Sequence, residues 1–243
     1  MHRFFYEEGC THGDVVRLPE LEARHAAQVL RLRAGAEVIL LNGAGVVHRA
    51  VLTNVSSAHV EASLREALPA CEAETRITLF QGMPKADKME WIVQKTTELG
   101  VAAVQPVLFS RCDKTLGKNI EKTMQRLSRI AREAVKQCGR GCIPLITPPI
   151  SLEMAIGQLH AYDVVLLAWE TPLEKRIADV VKEVPKNASI AVVIGPEGGI
   201  EKEEALRFQE AGAHLVTMGQ RILRTETAGI AAISAILTLT GEL

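Results

Sequence analysis

The chain has 243 residues, of which 47% are hydrophobic and 23% are charged, and its formal net charge is −1. This composition suffices for the core of one large domain or of two modest ones. Because no apolar run is long enough to cross a bilayer and the N-terminus lacks a signal-peptide stretch, we expect a soluble, cytoplasmic protein without a membrane partner. The 5 cysteines include no Cys-x-x-Cys pair, so neither a disulfide framework nor a metal site is expected.

Basic side chains are concentrated in the middle of the chain. Residues 76–142 hold 13 basic and 6 acidic side chains, whereas the segments on either side are net acidic. Such asymmetry indicates a polyanion partner. A solvated helix face explains it equally well, so the charge alone does not decide between the two.

Residues 1–70 have the pattern of a small β-rich domain. Apolar runs at 38–41 and 46–52 flank Asn42-Gly43-Ala44-Gly45, which predicts a hairpin with turn glycines. Another strand is predicted over 55–64, and a short helix between Glu20 and Leu32. The charged, proline-containing stretch 66–74 marks a domain boundary.

From residue 75 onward, strand-type and helix-type patterns alternate. Strands are predicted at 77–80, 101–109, 164–168, 190–194 and 215–218, with helical patterns between them. Pro106 suggests an edge or end position for its strand. The alternation predicts an α/β domain with a mostly parallel sheet covered on both faces. The last helix, 225–239, is apolar all round, so it must be buried in the core or against a second subunit.

Two of these runs end in glycine-containing loops that lead into helices. The run 190–194 stops at Gly195-Pro196-Glu197-Gly198-Gly199, and the run 215–218 stops at Gly219. We interpret them as neighbouring strands whose carboxyl ends form a ligand crevice. Glycines there let the backbone approach a ligand closely. The pattern predicts ligand loops but does not name the ligand.

The segments Ile194–Gly199 and Leu223–Ala228 resemble the paired C-terminal motifs of the SPOUT methyltransferases. The likeness is closest to the RsmE family, which methylates N3 of a uridine in small-subunit (16S) ribosomal RNA. It extends over nearly the whole chain, through Arg3-Phe4-Phe5, His25–Arg31, Lys88-Met89-Glu90, Gln94-Lys95, Glu98–Val101, Arg111-Cys112 and Gln137–Arg140. The resemblance implies a PUA-like RNA-binding β-barrel over residues 1–70 and a SPOUT domain with a deep trefoil knot over 75–243. It also implies a homodimer that acts on ribosomal RNA or the small ribosomal subunit.

The same resemblance implies S-adenosylmethionine as methyl donor. Its expected binding residues lie in the strand-end loops: Leu167, Ile194, Gly195, Glu197, Gly199, Met218, Gly219, Leu223, Thr225 and Ala228. Candidate RNA contacts are basic, since guanidinium forks in particular suit phosphate oxygens: Arg3, Arg24, Arg31, Arg33, Lys88, Arg111 and Arg140.

The expected chemistry requires that a uracil N3 lose its proton, so the site needs a base or a cation that stabilises the anion. Arg221 and Arg224 are the candidate cations, and Glu197 and Glu226 the candidate bases. Both glutamates have competing structural roles, Glu226 at a helix start and Glu197 as a brace of its loop. Two alternatives stay open: a non-catalytic RNA-binding or ribosome assembly factor, and a SPOUT methyltransferase that acts on a different RNA position.

Overall fold

The structure is a computed structural model that describes residues 1–7, 9, 11–57, 59–85, 88–112, 120–170, 175–182 and 184–243. These residues form two compact units. The first consists of residues 1–72 and 135–143, and the second of residues 73–134 and 144–243.

The first unit is built on a six-stranded sheet in the order β1-β4-β5-β6-β3-β2. Only β1 and β4 pair in parallel, and the other pairs within this sheet are antiparallel. The strands are β1 (His2–Phe5), β2 (Thr11–His12), β3 (Val15–Arg17), β4 (Glu37–Leu41), β5 (Val47–Val55) and β6 (Val60–Leu68). A short helix, α1 (Glu20–Arg24), continues into a π-helical turn, His25–Val29.

The hairpin predicted around residues 42–45 is confirmed. Leu41 of β4 pairs with Val47 of β5. The Asn42 side-chain oxygen accepts hydrogen bonds from the N–H groups of Ala44 at 2.8 Å and Val46 at 2.9 Å. Alternate residues of both strands point into one buried cluster, as the period of a strand requires; its members include Phe4, Val38, Leu40, Ala50 and Leu52.

Residues 135–143 join this unit through a buried charge. Arg140 is only 4% exposed, and its guanidinium lies 2.7 Å from the Glu72 carboxylate. The other Glu72 oxygen accepts the N–H groups of Gly141 and Cys142, both at 2.9 Å. A buried guanidinium is tolerated only when it is paired in this way.

We expect Glu72→Gln to lower the free energy of unfolding by about 1–3 kcal/mol, because the amide keeps one acceptor oxygen but removes the negative charge that faces the buried Arg140 guanidinium. Urea unfolding would measure the loss. Glu66→Gln, at an exposed and loosely paired position 3.8 Å from Arg49, is the matched control. Equal free energies of unfolding for the two variants would contradict a stabilising role for the Glu72–Arg140 pair.

The second unit contains seven strands and six helices among the described residues. Its elements are β7 (Arg76–Gly82), α2 (Lys88–Leu99), β8 (Ala103–Leu108), α3 (Ile120–Cys138, whose last turn belongs to the first unit), β9 (Leu145–Ile146), β10 (Ile150–Ser151), α4 (Leu152–Gln158), β11 (Val164–Ala168), α5 (Ile177–Val181), β12 (Ser189–Ile194), α6 (Lys202–Glu210), β13 (His214–Val216) and α7 (Thr225–Thr240). The sheet order is β10-β8-β7-β12-β11-β13, with β9 also paired to β8. Every pair is parallel, which confirms the predicted α/β class.

Two details of the predicted sheet were wrong. The strands that end in the two glycine loops are not neighbours, since β11 lies between them and its Ala168 pairs with Ile194 on one side and Val216 on the other. The strand with Pro106 is not at an edge either. Pro106 lies between the residues of β8 that pair with β9 and those that pair with β10, so no ladder bond on that side needs its missing N–H.

The last helix, α7, is packed against α2, α5, β7 and β12. A Cβ atom at Gly229 would lie 3.4 Å from the Leu79 side chain of β7, so the helix packs closely against the sheet at this position. Beyond its end, the Glu242 carboxylate accepts the N–H groups of Glu74 and Thr75. The predicted burial of this helix in the core is therefore confirmed for its inner face, whereas Leu239 is 41% exposed. In the described part of the chain, no helix is long and apolar enough to span a bilayer.

Candidate functional site

A cavity of about 110 Å³ opens at the carboxyl ends of β11, β12 and β13. Most of the residues that line it are apolar, and backbone groups lie among them, as is usual for a small-molecule site. It is lined by Ala168, Trp169, Glu170, Ile194, Gly195, Pro196, Gly199, Ile200, Met218, Gly219, Gln220, Arg221, Ile222, Leu223, Thr225 and Ala228. We call it the first cavity.

Close backbone packing holds the first cavity in shape. A Cβ atom at Gly82 would lie 2.4 Å from the backbone nitrogen of Pro196, so only glycine fits at the end of β7. The Thr225 hydroxyl donates to the Gly195 carbonyl at 2.6 Å and accepts from the Gln81 amide at 2.8 Å. This chain of hydrogen bonds joins β7, the loop after β12 and the first turn of α7.

A second cavity adjoins the first and shares part of its wall. Both are lined by Glu170, Pro196, Gly199, Ile222, Leu223 and Thr225. The second cavity is additionally lined by Lys88, Glu197 and Arg224. It is therefore the more highly charged of the two, and a molecule in it would lie next to one in the first.

An ion cluster borders the second cavity. Lys88 Nζ lies 3.1 Å from a Glu197 oxygen and 3.4 Å from Glu226 Oε2. Burial raises the pKa of Glu197, but hydrogen bonds from Lys88 and from the N–H of Lys85 outweigh it and hold that pKa below its ordinary value. The pKa of Lys88 is raised, chiefly by its hydrogen bond to Glu197. Both shifts favour the charged forms of Lys88 and Glu197 at neutral pH.

Lys88→Met should make the protein less stable at neutral pH and less sensitive to acid. The lowered pKa of Glu197 stabilises the fold above the ordinary carboxyl pKa of about 4.3, and this contribution is lost as the pH falls through the folded value. Without Lys88, burial becomes the main influence on Glu197, so its pKa rises, the contribution disappears, and the deficit of the variant shrinks as the pH falls. Urea midpoints measured between about pH 3 and pH 7 would show this, with exposed Lys186→Met as control. If the urea midpoints of the two variants depended on pH in the same way, the claim that Lys88 stabilises ionised Glu197 would be contradicted.

Eight of the ten residues expected to bind the cofactor line the first cavity. Leu167 does not, because it is fully buried in the middle of the sheet. Glu197 lines the second cavity instead. Each expected cation lines one cavity: Arg221 lines the first cavity, and Arg224 lines the second. Both are exposed, and neither guanidinium makes a hydrogen bond or ion pair among the residues that the structure describes.

The predicted RNA contacts are divided between the two units. Within the second unit, Lys88 belongs to the ion cluster, and Arg111 donates to the Gly198 carbonyl at 3.0 Å and lies 3.4 Å from Glu201. Both side chains contact the loop that begins at Gly195. Each of them therefore stabilises this loop, whether or not it also contacts RNA.

Within the first unit, Arg3 caps α3 by donating to the Lys136 and Gln137 carbonyls at 2.9 and 3.1 Å. Arg140 is buried against Glu72, so it offers no surface to a phosphate. Arg24 is exposed and paired with Glu20 at 2.7 Å. Arg31, whose φ is +53°, and Arg33 are exposed.

Glu170 was not among the residues predicted to bind the donor or to act in catalysis. It follows β11 directly and lines both cavities. The signal for it is local, since Trp169 and Glu170 follow an apolar strand-type run in the position of another ligand loop. The described residues contain no group of three or more His, Cys, Asp or Glu side chains arranged to hold a metal ion.

Sequence and structure comparisons agree on the class of protein. The family model described as "RNA methyltransferase domain" matches residues 71–237, and that described as "RNA methyltransferase PUA domain" matches residues 18–64. The chain thus contains an RNA methyltransferase domain and an attached PUA domain.

Individual relatives narrow the class to a family. The ribosomal RNA small subunit methyltransferase E of Bacillus subtilis is 31% identical over 97% of this chain and 96% of its own length. A protein of the same name from Synechocystis is 31% identical over 92% of this chain and 73% of its own. The crystal structure of the corresponding Neisseria gonorrhoeae enzyme, bound to S-adenosyl methionine, superposes with a TM-score of 0.87 at 34% identity, covering 98% of each chain. The chain belongs to the ribosomal RNA small subunit methyltransferase E family.

Proposed function

We propose that this protein transfers a methyl group from S-adenosylmethionine to N3 of a uridine in 16S ribosomal RNA. The observation that carries the proposal is the pair of adjoining cavities, one with backbone-lined, largely apolar walls and one lined by charged side chains. The first suits a nucleoside-containing donor, and the second suits an acceptor base whose proton must be removed. Their common wall is where donor and acceptor would meet.

The first cavity fits the donor by its chemistry. Gly199 and Gly219 have φ values of +76° and +106°, conformations that glycine adopts without strain, so backbone N–H and C=O groups can face a ligand directly. Ile194, Met218 and Leu223 provide apolar walls. When bound, S-adenosylmethionine supplies a methyl group on a positively charged sulfur. The residues around it would hold and orient that group and keep water away.

The second cavity fits an acceptor that becomes negative during the reaction. Arg224 is exposed at its wall and makes no side-chain hydrogen bond among the described residues, so its donors are available for a uracil oxygen. Lys88 neutralises Glu197 and faces Glu226, which limits repulsion between these carboxylates and an anionic base. Preorganised positive groups of this kind are a major source of catalytic stabilisation.

We propose further that the first unit forms a PUA-like β-barrel that holds RNA, with residues 1–70 and 75–243 as the two functional domains. A single mixed sheet with buried hydrophobic clusters packed against it supports the barrel. Exposed Arg31 and Arg33 are the proposed phosphate contacts there, because each lies outside any ion pair among the described residues. RNA affinity that depends on such contacts would fall as the salt concentration rises and would not depend on the RNA sequence.

A trefoil knot and a homodimer complete the proposal. Strand β13 lies at the sheet edge beyond β11, yet α7, which follows it, packs against β7, β12 and α2. This return of the chain across the sheet supports a threaded C-terminus. Ile222 is 78% exposed beside the first cavity, and a second subunit would cover such an apolar side chain. The site of action would be the cytoplasm, together with small ribosomal subunits.

The test is methylation of 30S subunits and of naked 16S RNA with labelled donor, followed by nucleoside mass spectrometry. We expect N3-methyluridine as product. A ribose-methylated nucleoside would overturn the N3 assignment and favour action on another RNA position. Donor and RNA binding without any methyl transfer on either substrate would overturn the enzyme proposal and favour an assembly factor.

A further inference from the structure

The wall between the two cavities holds a carboxylate that has no partner in the described structure. Glu170 lines both cavities. A Cβ atom at Gly199 would lie 2.6 Å from a Glu170 oxygen, so the carboxylate rests against the glycine loop at the boundary between them. Within the described residues it makes no hydrogen bond and no ion pair. Its lone pairs therefore point into space that a ligand can occupy.

The two glutamates of the sequence motifs are placed less well to remove a proton. Glu197 receives hydrogen bonds from Lys85 and Lys88, so its oxygens are engaged and its negative charge is stabilised. Glu226 lines neither cavity. Its Oε2 is buried without a hydrogen-bond partner, and Lys88 Nζ, 3.4 Å away, lies outside hydrogen-bond alignment.

We infer that Glu170 accepts the N3 proton of the acceptor uridine as the methyl group is transferred. The inference rests on the proposed function and assigns a catalytic residue within it. The N3–H bond breaks and its proton passes to the Glu170 carboxylate. The N3 electron pair forms the bond to the methyl carbon, and the carbon–sulfur bond breaks with its electrons left on sulfur. Solvent later takes the proton from Glu170.

The charged groups around Glu170 are compatible with this role. Arg221 and Arg224 line the two cavities, and Arg111 also lies near Gly199. These cations favour an anionic uracil during the reaction. Lys88 and Glu197, the remaining charged pair at the second cavity, largely neutralise each other.

The experiment compares Glu170→Gln with the wild-type protein on 30S subunits across a range of pH. At pH 7 we expect the rate at saturating substrate to fall by about 10²–10⁴-fold, the usual contribution of a positioned base. Donor affinity, measured by calorimetry, should stay unchanged. As the pH rises, the defect should shrink, because uracil N3 then loses its proton to solvent without help. Glu203→Gln, which removes a carboxylate from the exposed first turn of α6, is the control and should behave as wild type.

A second acceptor RNA, with a more acidic N3–H, tests the role of Glu170 as a base at constant pH. RNA with 5-fluorouridine carries a more acidic N3–H, so the defect of Glu170→Gln should be smaller on it than on ordinary RNA. A defect that is equal at all pH values and on both acceptors, together with weaker donor binding, would overturn the inference and make Glu170 a cofactor contact. Absence of N3-methyluridine with wild-type protein would instead overturn the proposed function, and the two failures are thus distinguishable.

Discussion

Gly82→Ala is expected to weaken the binding of S-adenosylmethionine. The added Cβ atom would lie 2.4 Å from the Pro196 nitrogen and 2.6 Å from the Gly195 carbonyl carbon. Both are backbone atoms, so relief requires displacement of the loop that forms one wall of the first cavity. Overpacking a dense interior costs about 1–3 kcal/mol, which corresponds to a loss in affinity of roughly fivefold to more than a hundredfold if it falls on the bound state.

Calorimetric titration with the donor would measure this effect, and thermal unfolding would show how much of it reflects global stability. Gly157→Ala is the matched control, since a Cβ atom at that position of α4 meets nothing within 4 Å. Alanine there should leave donor binding unchanged and raise helix stability by about 0.5–1 kcal/mol. Normal donor affinity in Gly82→Ala would show that the loop can move without harm to the first cavity. It would contradict the claim that donor binding requires glycine at position 82.

Arg224→Ala should lower the methylation rate at saturating substrate by about 10²–10³-fold, the usual cost of removing one donor to a developing anion. Donor affinity should not change, because Arg224 lines the second cavity and not the first. Arg224→Lys should recover part of the rate, since it keeps the charge but loses the planar fork.

Single-turnover rates and donor titrations separate the two possible roles of this arginine. If Arg224 only contacted a phosphate, the variant would bind RNA more weakly and depend less on salt, with an unchanged rate at saturation. That outcome would contradict a role in the reaction. Arg207→Ala is the control, because Arg207 is exposed on α6 and pairs with Glu153 at 3.2 Å, outside both cavities.

Individual strands and turns could be predicted because each is specified by a short segment of the sequence. Apolar runs that stop at Gly195 and Gly219 define strand ends, and the Asn42–Gly45 turn defines a hairpin. The order of strands could not be predicted, since β11 is inserted between β12 and β13 by packing and not by any pattern in its own residues. The placement of the two glycine loops on either side of β11 is what makes Ala168, Trp169 and Glu170 part of the site.

The roles of charged residues were harder to predict than the elements that carry them. A sequence shows that Arg140 and Lys88 are basic but not which carboxylate each one meets. Glu72, the partner of Arg140, lies in the stretch that looked like a plain domain boundary. Glu197 and Lys88 are far apart in the chain, and only the fold shows that a carboxylate expected to act as a base is already held by a lysine.

Thr225 and Ala228 close one wall of the first cavity, and both belong to the C-terminal helix. The cavity is therefore completed last when the chain is synthesised from its N-terminus. Any product that terminates before residue 225 lacks that wall, together with the hydrogen bonds between Gln81, Thr225 and Gly195. A translation product must therefore extend through Ala228 before all of the residues that line the cavity are present.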